Sequence, residues 1–306
     1  MSFAAELKKE LCAEPLKRKE KMLAECYGMA IVSRGFDAGN ISLVTENQGV
    51  AVRYAKLMER LLGVTAETVE RERADGAVYT VSLTEEADRA ALLKLFGHSG
   101  KEPNRRINIQ KIGGEENYAD FLRGIYLSCG SISDPNKSYH IELAVPFLNL
   151  SKELALMLSQ LLSMPKSVRR RGDYVLYYKE SEHIEDFLTF IGAPMKALEI
   201  MEIKVVKDVR NKVNRRTNCE TANIDKTVVA SARQVADIRL ICEKKGMEFL
   251  PENLRELAQL RLENPEMSLA ELGSVLKKPI SRSGVNHRLE RLAEIAEDLR
   301  EKEKEA

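Results

Sequence analysis

The segments MLAECYGMAIVSRGF at residues 22–36 and YADFLRGIYLSCGSI at residues 118–132 are two copies of one pattern. Each predicts a helix with a glycine near its middle, Gly28 in the first copy and Gly124 in the second. A glycine inside a helix costs about 1 kcal/mol relative to alanine, so matched glycines need a structural reason. We predict that the two helices approach each other closely along their glycine faces.

The segments that follow these two motif helices also match each other. Each copy continues with an alternating strand, an amphipathic helix, two short strands and a last helix. In the first copy these elements are predicted at residues 40–46, 48–62, 66–73, 77–83 and 85–96. In the second copy they are predicted at residues 139–145, 150–162, 166–170, 173–179 and 182–191. With one further strand after each motif helix, the sequence predicts an α+β fold of tandem αββαββα repeats, at residues 1–98 and 99–193.

The charge of the chain is balanced overall but uneven locally. The 306 residues suffice for two domains, and the net charge is only +1. Residues 166–171 nevertheless contain four basic residues and no acidic one, and residues 204–216 contain six basic residues and one acidic residue. Local excesses of this kind, rather than the net charge, indicate contacts with nucleic acid.

The cysteines and the apolar segments exclude several classes of protein. The five cysteines are odd in number, scattered and without a CxxC pair, so we expect neither a disulfide framework nor a metal, and no other cofactor. Residues 3–21 are too charged for a signal peptide, and no apolar run approaches the ~18 residues of a membrane span. We expect a cytoplasmic, nucleoid-associated protein with no membrane partner and no small-molecule substrate.

Residues 267–289, MSLAELGSVLKKPISRSGVNHRL, predict two helices joined by a tight turn. Ser268 is a favourable N-cap, and Glu271 completes a capping box. Pro279 ends the first helix, and either Ser281 or Ser283 can cap the second. The second helix then has a stripe of apolar residues: Val285, Leu289, Leu292 and Ala296. This arrangement is typical of a helix-turn-helix that binds DNA.

The face of the second helix opposite this stripe is polar and basic. Arg and Asn side chains match base edges, whereas flanking Lys and Arg side chains bind phosphates. The residues of this segment that we predict to bind DNA are Lys277, Lys278, Ser281, Arg282, Ser283, Asn286, His287, Arg288 and Arg291. The alternative is an ordinary helical hairpin with a solvated polar face. The tight turn and the basic excess favour double-stranded DNA as the partner.

Residues 194–218 predict a basic helical linker that leads to a helical DNA-binding domain at residues 219–306. The linker contributes four further predicted DNA-binding residues: Arg210, Lys212, Arg215 and Arg216. They are typical of an arm that grips phosphates or enters a minor groove, although a solvated helix face explains them equally well. A separate helix is predicted from Ala230 to Lys245, with Gly246 as its C-cap.

The paired glycine helices resemble the LAGLIDADG motifs of homing endonucleases. The resemblance implies a pseudo-twofold saddle, with an acidic residue at the end of each motif helix that binds Mg²⁺. Aligning the glycines places Ser33 and Cys129 at the acidic positions. Neither is a carboxylate, which Mg²⁺ prefers, so the resemblance implies a scaffold that has lost its catalytic residues. Asp37 and Asp134, about one helical turn further on, are the replacements to consider.

These repeats followed by a helix-turn-helix closely resemble one family, the WhiA sporulation and cell-division regulators of Gram-positive bacteria. The resemblance covers nearly the whole chain and is most specific at residues 121–135, 211–223 and 280–289. It implies a sequence-specific transcription regulator whose DNA-binding domain is similar to that of sigma factors, and which is not a nuclease.

Two alternatives concern the repeats. The first is an active Mg²⁺-dependent endonuclease with an added targeting domain, which would need acidic groups that Ser33 and Cys129 do not supply. The second is a body that binds another regulatory protein and barely contacts DNA. Against the second alternative, residues 105–106 and 166–171 are basic and could keep part of a DNA-binding role.

Overall fold

The computed structural model describes residues 2–74 and 76–304, apart from the side chains of residues 220, 222–225, 303 and 304. The chain divides into two compact units between Lys207 and Asp208. The boundaries predicted after residues 98, 193 and 218 define smaller pieces than these units and stay predictions.

The first unit begins with helix α1 (Phe3–Ala13) and the first repeat. The elements of that repeat are α2 (Lys19–Ile31), β1 (Gly35–Phe36), β2 (Ile41–Thr45), α3 (Gln48–Leu62), β3 (Glu67–Arg73), β4 (Gly76–Leu83) and α4 (Glu86–Phe96). The strands form an antiparallel sheet in the order β1-β2-β4-β3. Ile41 and Leu43 point into the core from alternate positions of β2. Buried apolar residues therefore alternate with more exposed ones along this strand.

The second repeat has the same order of elements and the same sheet. Its elements are α5 (Tyr118–Cys129), β5 (Gly130–Ile132), β6 (Ile141–Val145), α6 (Leu148–Leu161), β7 (Lys166–Arg170), β8 (Asp173–Tyr178) and α7 (Ser181–Phe190). The sheet order β5-β6-β8-β7 repeats that of the first sheet. The hairpin turns at Arg171 and Gly172, whose φ angles of 51° and 92° suit a two-residue turn between twisted strands. The predicted α+β fold with αββαββα repeats is confirmed.

The two motif helices pack against each other at their glycines, as predicted. A Cβ atom on Gly28 would overlap the carbonyl oxygen of Phe121, and a Cβ atom on Gly124 would overlap the carbonyl oxygen of Glu25. Backbone therefore touches backbone at this crossing, and any larger residue would force α2 and α5 apart. This contact joins the two repeats around one continuous core.

The predicted break between the linker and a separate helix at residues 230–245 is wrong. Helix α8 runs without interruption from Pro194 to Lys245, because no glycine or proline occurs between residues 195 and 245 to end it. It ends as predicted at Gly246, whose φ of 78° is left-handed. Helices α9 (Glu252–Glu263), α10 (Leu269–Val275) and α11 (Arg282–Lys304) follow. Among the described helices none is long and apolar enough to cross a membrane.

Candidate nucleic-acid interface

The first helix of the helix-turn-helix begins at the predicted capping box. The Ser268 hydroxyl accepts a hydrogen bond from the Glu271 amide at 3.3 Å, and the Glu271 carboxylate accepts one from the Ser268 amide at 2.8 Å. The turn then folds back onto α10, where the Ile280 amide donates to the Gly273 carbonyl at 3.1 Å. A Cβ atom on Gly273 would lie 2.5 Å from the Ile280 carbonyl oxygen, so glycine is required here. This role of Gly273 was not predicted from the sequence.

The second helix, α11, is capped by Ser281 rather than Ser283. The Ser281 hydroxyl accepts a hydrogen bond from the Gly284 amide at 3.3 Å and lies 2.9 Å from the Ser283 hydroxyl. The predicted apolar stripe is buried at all four positions: Val285, Leu289, Leu292 and Ala296. It packs in a core with residues of α8, α9 and α10. The polar face of α11 is consequently fixed in its orientation.

The predicted DNA-binding residues of this segment share an exposed surface, with one exception. The exposed residues are Lys277, Lys278, Ser281, Arg282, Ser283, Asn286, His287 and Arg291. Arg288 is half-buried, and its guanidinium donates to the Asn253 carbonyl at 3.3 Å. Arg288 therefore links α11 to α9, and less of its side chain is available to DNA than its place in the sequence predicts.

The polar side chains of α11 differ in how they are engaged. The Asn286 amide donates to the Glu290 carboxylate at 2.8 Å, and the Arg291 guanidinium lies 2.7 Å from the Glu294 carboxylate. Arg282 has neither a hydrogen bond nor an ion pair with any residue in the described part of the chain. Because Arg282 stands at the first position of α11, its guanidinium is available to an external acceptor.

The basic segment of α8 has two parts with different surroundings. Lys204 pairs with Glu182, and the Lys207 ammonium donates to the Pro135 carbonyl at 2.6 Å. These two side chains hold α8 on the second repeat. The four predicted DNA-binding residues of the linker, Arg210, Lys212, Arg215 and Arg216, follow on the same helix and are exposed.

Ser33 and Cys129 meet at one cavity of about 480 Å³ beside the ends of the motif helices, which Arg34 and Asp173 also line. The Ser33 hydroxyl donates to the Ser42 carbonyl, and burial raises the pKa of the Cys129 thiol to about 12. The Cys129 thiol is therefore protonated at neutral pH. The Asp173 carboxylate pairs with the Arg34 guanidinium at 2.6 Å, so the nearest carboxylate is already neutralised. No cluster of three metal-binding side chains occurs anywhere in residues 2–74 and 76–304.

A basic side chain is bound at the carboxyl end of each motif helix. The Lys8 ammonium donates to the Leu127 carbonyl of α5 at 3.4 Å. The Arg105 guanidinium donates to the Ile31 carbonyl of α2 at 3.3 Å and also to the Ser33 carbonyl. Cations stabilise the partial negative charge at a helix C-terminus. Burial lowers the pKa of both groups, that of Arg105 to about 10, which still leaves its guanidinium charged at neutral pH.

Among the basic residues of the repeats considered for a DNA contact, one is half-buried and two form ion pairs on the surface. Arg105 is half-buried against the Phe147 ring at 4.1 Å, so it is not available to DNA. In the hairpin, Lys166 pairs with Glu180 at 3.0 Å and Arg170 pairs with Glu142 at 2.7 Å.

Asp37 and Asp134 both lie in turns. The Asp37 carboxylate accepts hydrogen bonds from the amides of Gly39 and Asn40 at 2.8 and 2.9 Å. The Asp134 carboxylate accepts one from the Asn136 amide at 2.9 Å, and this bond lowers its pKa. Both carboxylates stabilise turns, and neither lines the cavity beside Ser33 and Cys129.

Comparison with known proteins finds relatives over the whole chain. The family model described as the WhiA LAGLIDADG-like domain matches residues 118–210, and the model of the WhiA C-terminal HTH domain matches residues 213–296. The probable cell division protein WhiA of Clostridium novyi is 37% identical over 318 residues, covering 99% of this chain and 100% of that protein. Its counterpart in Clostridium acetobutylicum is 36% identical over 313 residues, covering 98% of this chain and 99% of that protein.

A solved structure with the same fold covers both units. The crystal structure of full-length DUF199/WhiA from Thermotoga maritima is 28% identical and has a TM-score of 0.60. It covers 97% of this chain and 99% of that protein.

Proposed function

The chain belongs to the WhiA family, and from this premise we propose that it is a sequence-specific DNA-binding regulator of transcription in cell division and sporulation. The observation that carries the proposal is the polar face of α11. Its exposed side chains are of the types that read bases and bind phosphates, and they lie opposite a fully buried stripe.

The position of each side chain suggests its role in the complex. Residues at the start of a recognition helix reach base edges in the major groove, so we assign base contacts to Arg282 and Asn286. Lys277 and Lys278 lie in the turn beside them and bind phosphates of the flanking backbone. The exposed basic residues of α8 after Lys207 contribute further phosphate contacts.

A selection from random duplex DNA with the full chain, at two salt concentrations, tests this proposal. We expect an enriched motif. The Arg282→Ala variant should bind that motif about 5- to 150-fold more weakly, the range for loss of a bidentate base contact of about 1–3 kcal/mol, and should lose less on random DNA. Lys302→Ala is the matched control, because this exposed residue lies about 30 Å along the same helix. Equal losses of Arg282→Ala on both DNAs would instead make Arg282 a phosphate contact.

We further propose that the LAGLIDADG-like body does not cleave DNA. The side chains at the cavity support this, because a hydroxyl and a protonated thiol are poor Mg²⁺ ligands and Lys8 and Arg105 already bind the helix ends. Plasmid nicking assays with Mg²⁺ or Mn²⁺ should show no cleavage by the wild-type chain. The Ser33→Asp/Cys129→Asp variant should also be inactive, because both basic side chains remain in place. Nicking by the wild type that Asp134→Asn abolishes would contradict the proposal.

The hairpin of the body is only partly suited to bind DNA, and another regulatory protein is the alternative partner of the body. The ion pairs of Lys166 and Arg170 offset two of the four positive charges of the hairpin, and those of Arg169 and Arg171 remain for a phosphate backbone. In the full chain, Lys166→Ala/Arg170→Ala should leave both DNA affinity and its salt dependence unchanged. A fall of the slope of log K against log salt by about 2 would show that both residues bind phosphates.

A further inference from the structure

A cleft in the C-terminal unit has an excess of positive charge. It has a volume of about 430 Å³ and is lined by residues of α8, α9, α10 and α11. Among the lining residues whose side chains the structure describes, three are basic, Lys226, Arg261 and Arg282, and none is acidic. A concave site of this size, with charge of one sign, concentrates ions of the opposite charge.

Arg261 is the unusual member of this set. It is only 2% exposed, and no described carboxylate lies within ion-pair distance of its guanidinium. The guanidinium donates to the Met267 carbonyl at 2.7 Å and to the Pro265 carbonyl at 3.3 Å, whereas its Nε has no partner in the described residues. Burial lowers the pKa of Arg261, and the negative charge of Glu266, which forms no ion pair with it, offsets part of this effect. A buried cation with an unused donor is costly unless an acceptor binds to it, and an anion is the acceptor that also offsets the charge.

The uncharged lining residues suit the same kind of ligand. Ser268 and Asn286 supply a hydroxyl and an amide, and the Gln234 amide, whose Oε1 is buried without a partner, presents its NH₂ group when it rotates. Guanidinium groups match the geometry of phosphate oxygens.

We propose that this cleft is a binding site for a phosphate group. The site deepens the proposed function, because Arg282 and Asn286 belong both to the cleft and to the exposed face of α11. The phosphate has two sources with the same chemistry. A backbone phosphate of the bound DNA would bind Arg261 and Lys226, while Arg282 and Asn286 at the same cleft read the adjacent bases. A phosphate of a free nucleotide would also occupy Arg282 and would therefore compete with DNA.

The test needs a variant that changes the cleft without unfolding the domain. Arg261→Ala is unsuitable, since Arg261 holds the chain between α9 and α10 through two carbonyls. Ala270 lines the cleft, is exposed and lies in the first turn of α10, where a carboxylate is favourable. Ala270→Glu therefore places a negative charge in the cleft. Ala270→Gln is the control of equal size, and Ser274→Glu places the same charge one turn further on, outside the lining.

The four full-length proteins would be titrated with the selected duplex, with a random duplex, with inorganic phosphate and with ATP at constant ionic strength. If the phosphate comes from DNA, Ala270→Glu weakens binding to both duplexes about tenfold, as for one lost charge-assisted hydrogen bond. Its salt slope then falls by about 1, while both controls resemble the wild type. If the phosphate is free, ATP raises the melting temperature of the wild type and of both controls, but not of Ala270→Glu, and displaces DNA from the wild type.

Other outcomes overturn the proposal. In the first, Ala270→Glu binds every probe as tightly as Ala270→Gln does. In the second, Ser274→Glu loses as much affinity as Ala270→Glu, which would show only a long-range effect of charge. If the wild type enriches no DNA motif, the proposed function fails. The titrations with phosphate and ATP then test by themselves whether the cleft binds a phosphate group. If neither binds, this proposal is refuted as well.

Discussion

Two glycines of the helix-turn-helix differ in what a methyl group would meet. A Cβ atom on Gly273 would lie 2.5 Å from the Ile280 carbonyl oxygen and 3.0 Å from the Val285 side chain, whereas one on Gly284 would meet only the Ile280 side chain at 3.4 Å. We expect Gly273→Ala to lower the free energy of unfolding of the C-terminal unit by about 1–3 kcal/mol, the cost of overpacking. Gly284→Ala, its control, should be neutral or slightly stabilising. Thermal unfolding followed by circular dichroism measures both, and equal stabilities would contradict the contact of the turn with α10.

Individual residues were predictable from the sequence where their partners lie nearby in the chain. The capping box of Ser268 and Glu271 spans three residues, so its pattern is visible without a structure. Arg105 and Lys8 were not predictable, because their helix-end carbonyls lie 74 and 119 residues away. The buried state of Arg261 was hidden for a related reason: nothing in its local pattern shows which helices cover it.

The two motif helices are joined by buried ion pairs as well as by their glycine contact. Glu25 of α2 is 2% exposed and accepts a hydrogen bond from Arg53 of α3 at 2.8 Å. The guanidinium of Arg123 of α5 lies 3.6 Å from the same carboxylate. Glu25→Gln leaves the buried Arg53 without its carboxylate partner, whereas Arg123 keeps its ion pair with Asp120. We expect it to lower the free energy of unfolding by about 3–5 kcal/mol, measured by urea denaturation. Glu180→Gln breaks the exposed pair with Lys166 and should cost less than about 1 kcal/mol.

A loss below 1 kcal/mol for Glu25→Gln would show that Arg53 does not depend on the charge of Glu25, because the Cys12 and Glu14 carbonyls already accept its hydrogen bonds. Among the elements themselves, those with a strong period and clear ends were predicted well, as for α3 at residues 48–62. The break predicted in α8 failed for the opposite reason. Its charged surface has no continuous apolar stripe from which one long helix could be predicted, although no residue within the helix ends it.

The response of the whole molecule to high pH should be set by its N-terminal unit. Burial raises the pKa of the Cys26 thiol above its ordinary value, and raises those of Cys12 and Cys129 to about 11 and about 12. The unfolded chain releases these protons near pH 8.5, whereas the folded chain keeps them, so stability falls as pH rises above that value.

We expect Cys26→Ala to make the fall in unfolding free energy between pH 9 and 11 shallower by about 1.4 kcal/mol per pH unit, the linkage of one proton. The slope is the measurement, because the substitution also leaves a small cavity that changes stability at every pH. Cys219→Ala removes an exposed thiol from α8 and is the control, whose slope should match that of the wild type. Urea denaturation at each pH gives the slopes, and identical slopes for Cys26→Ala and the wild type would mean that the Cys26 thiol ionises without unfolding the body.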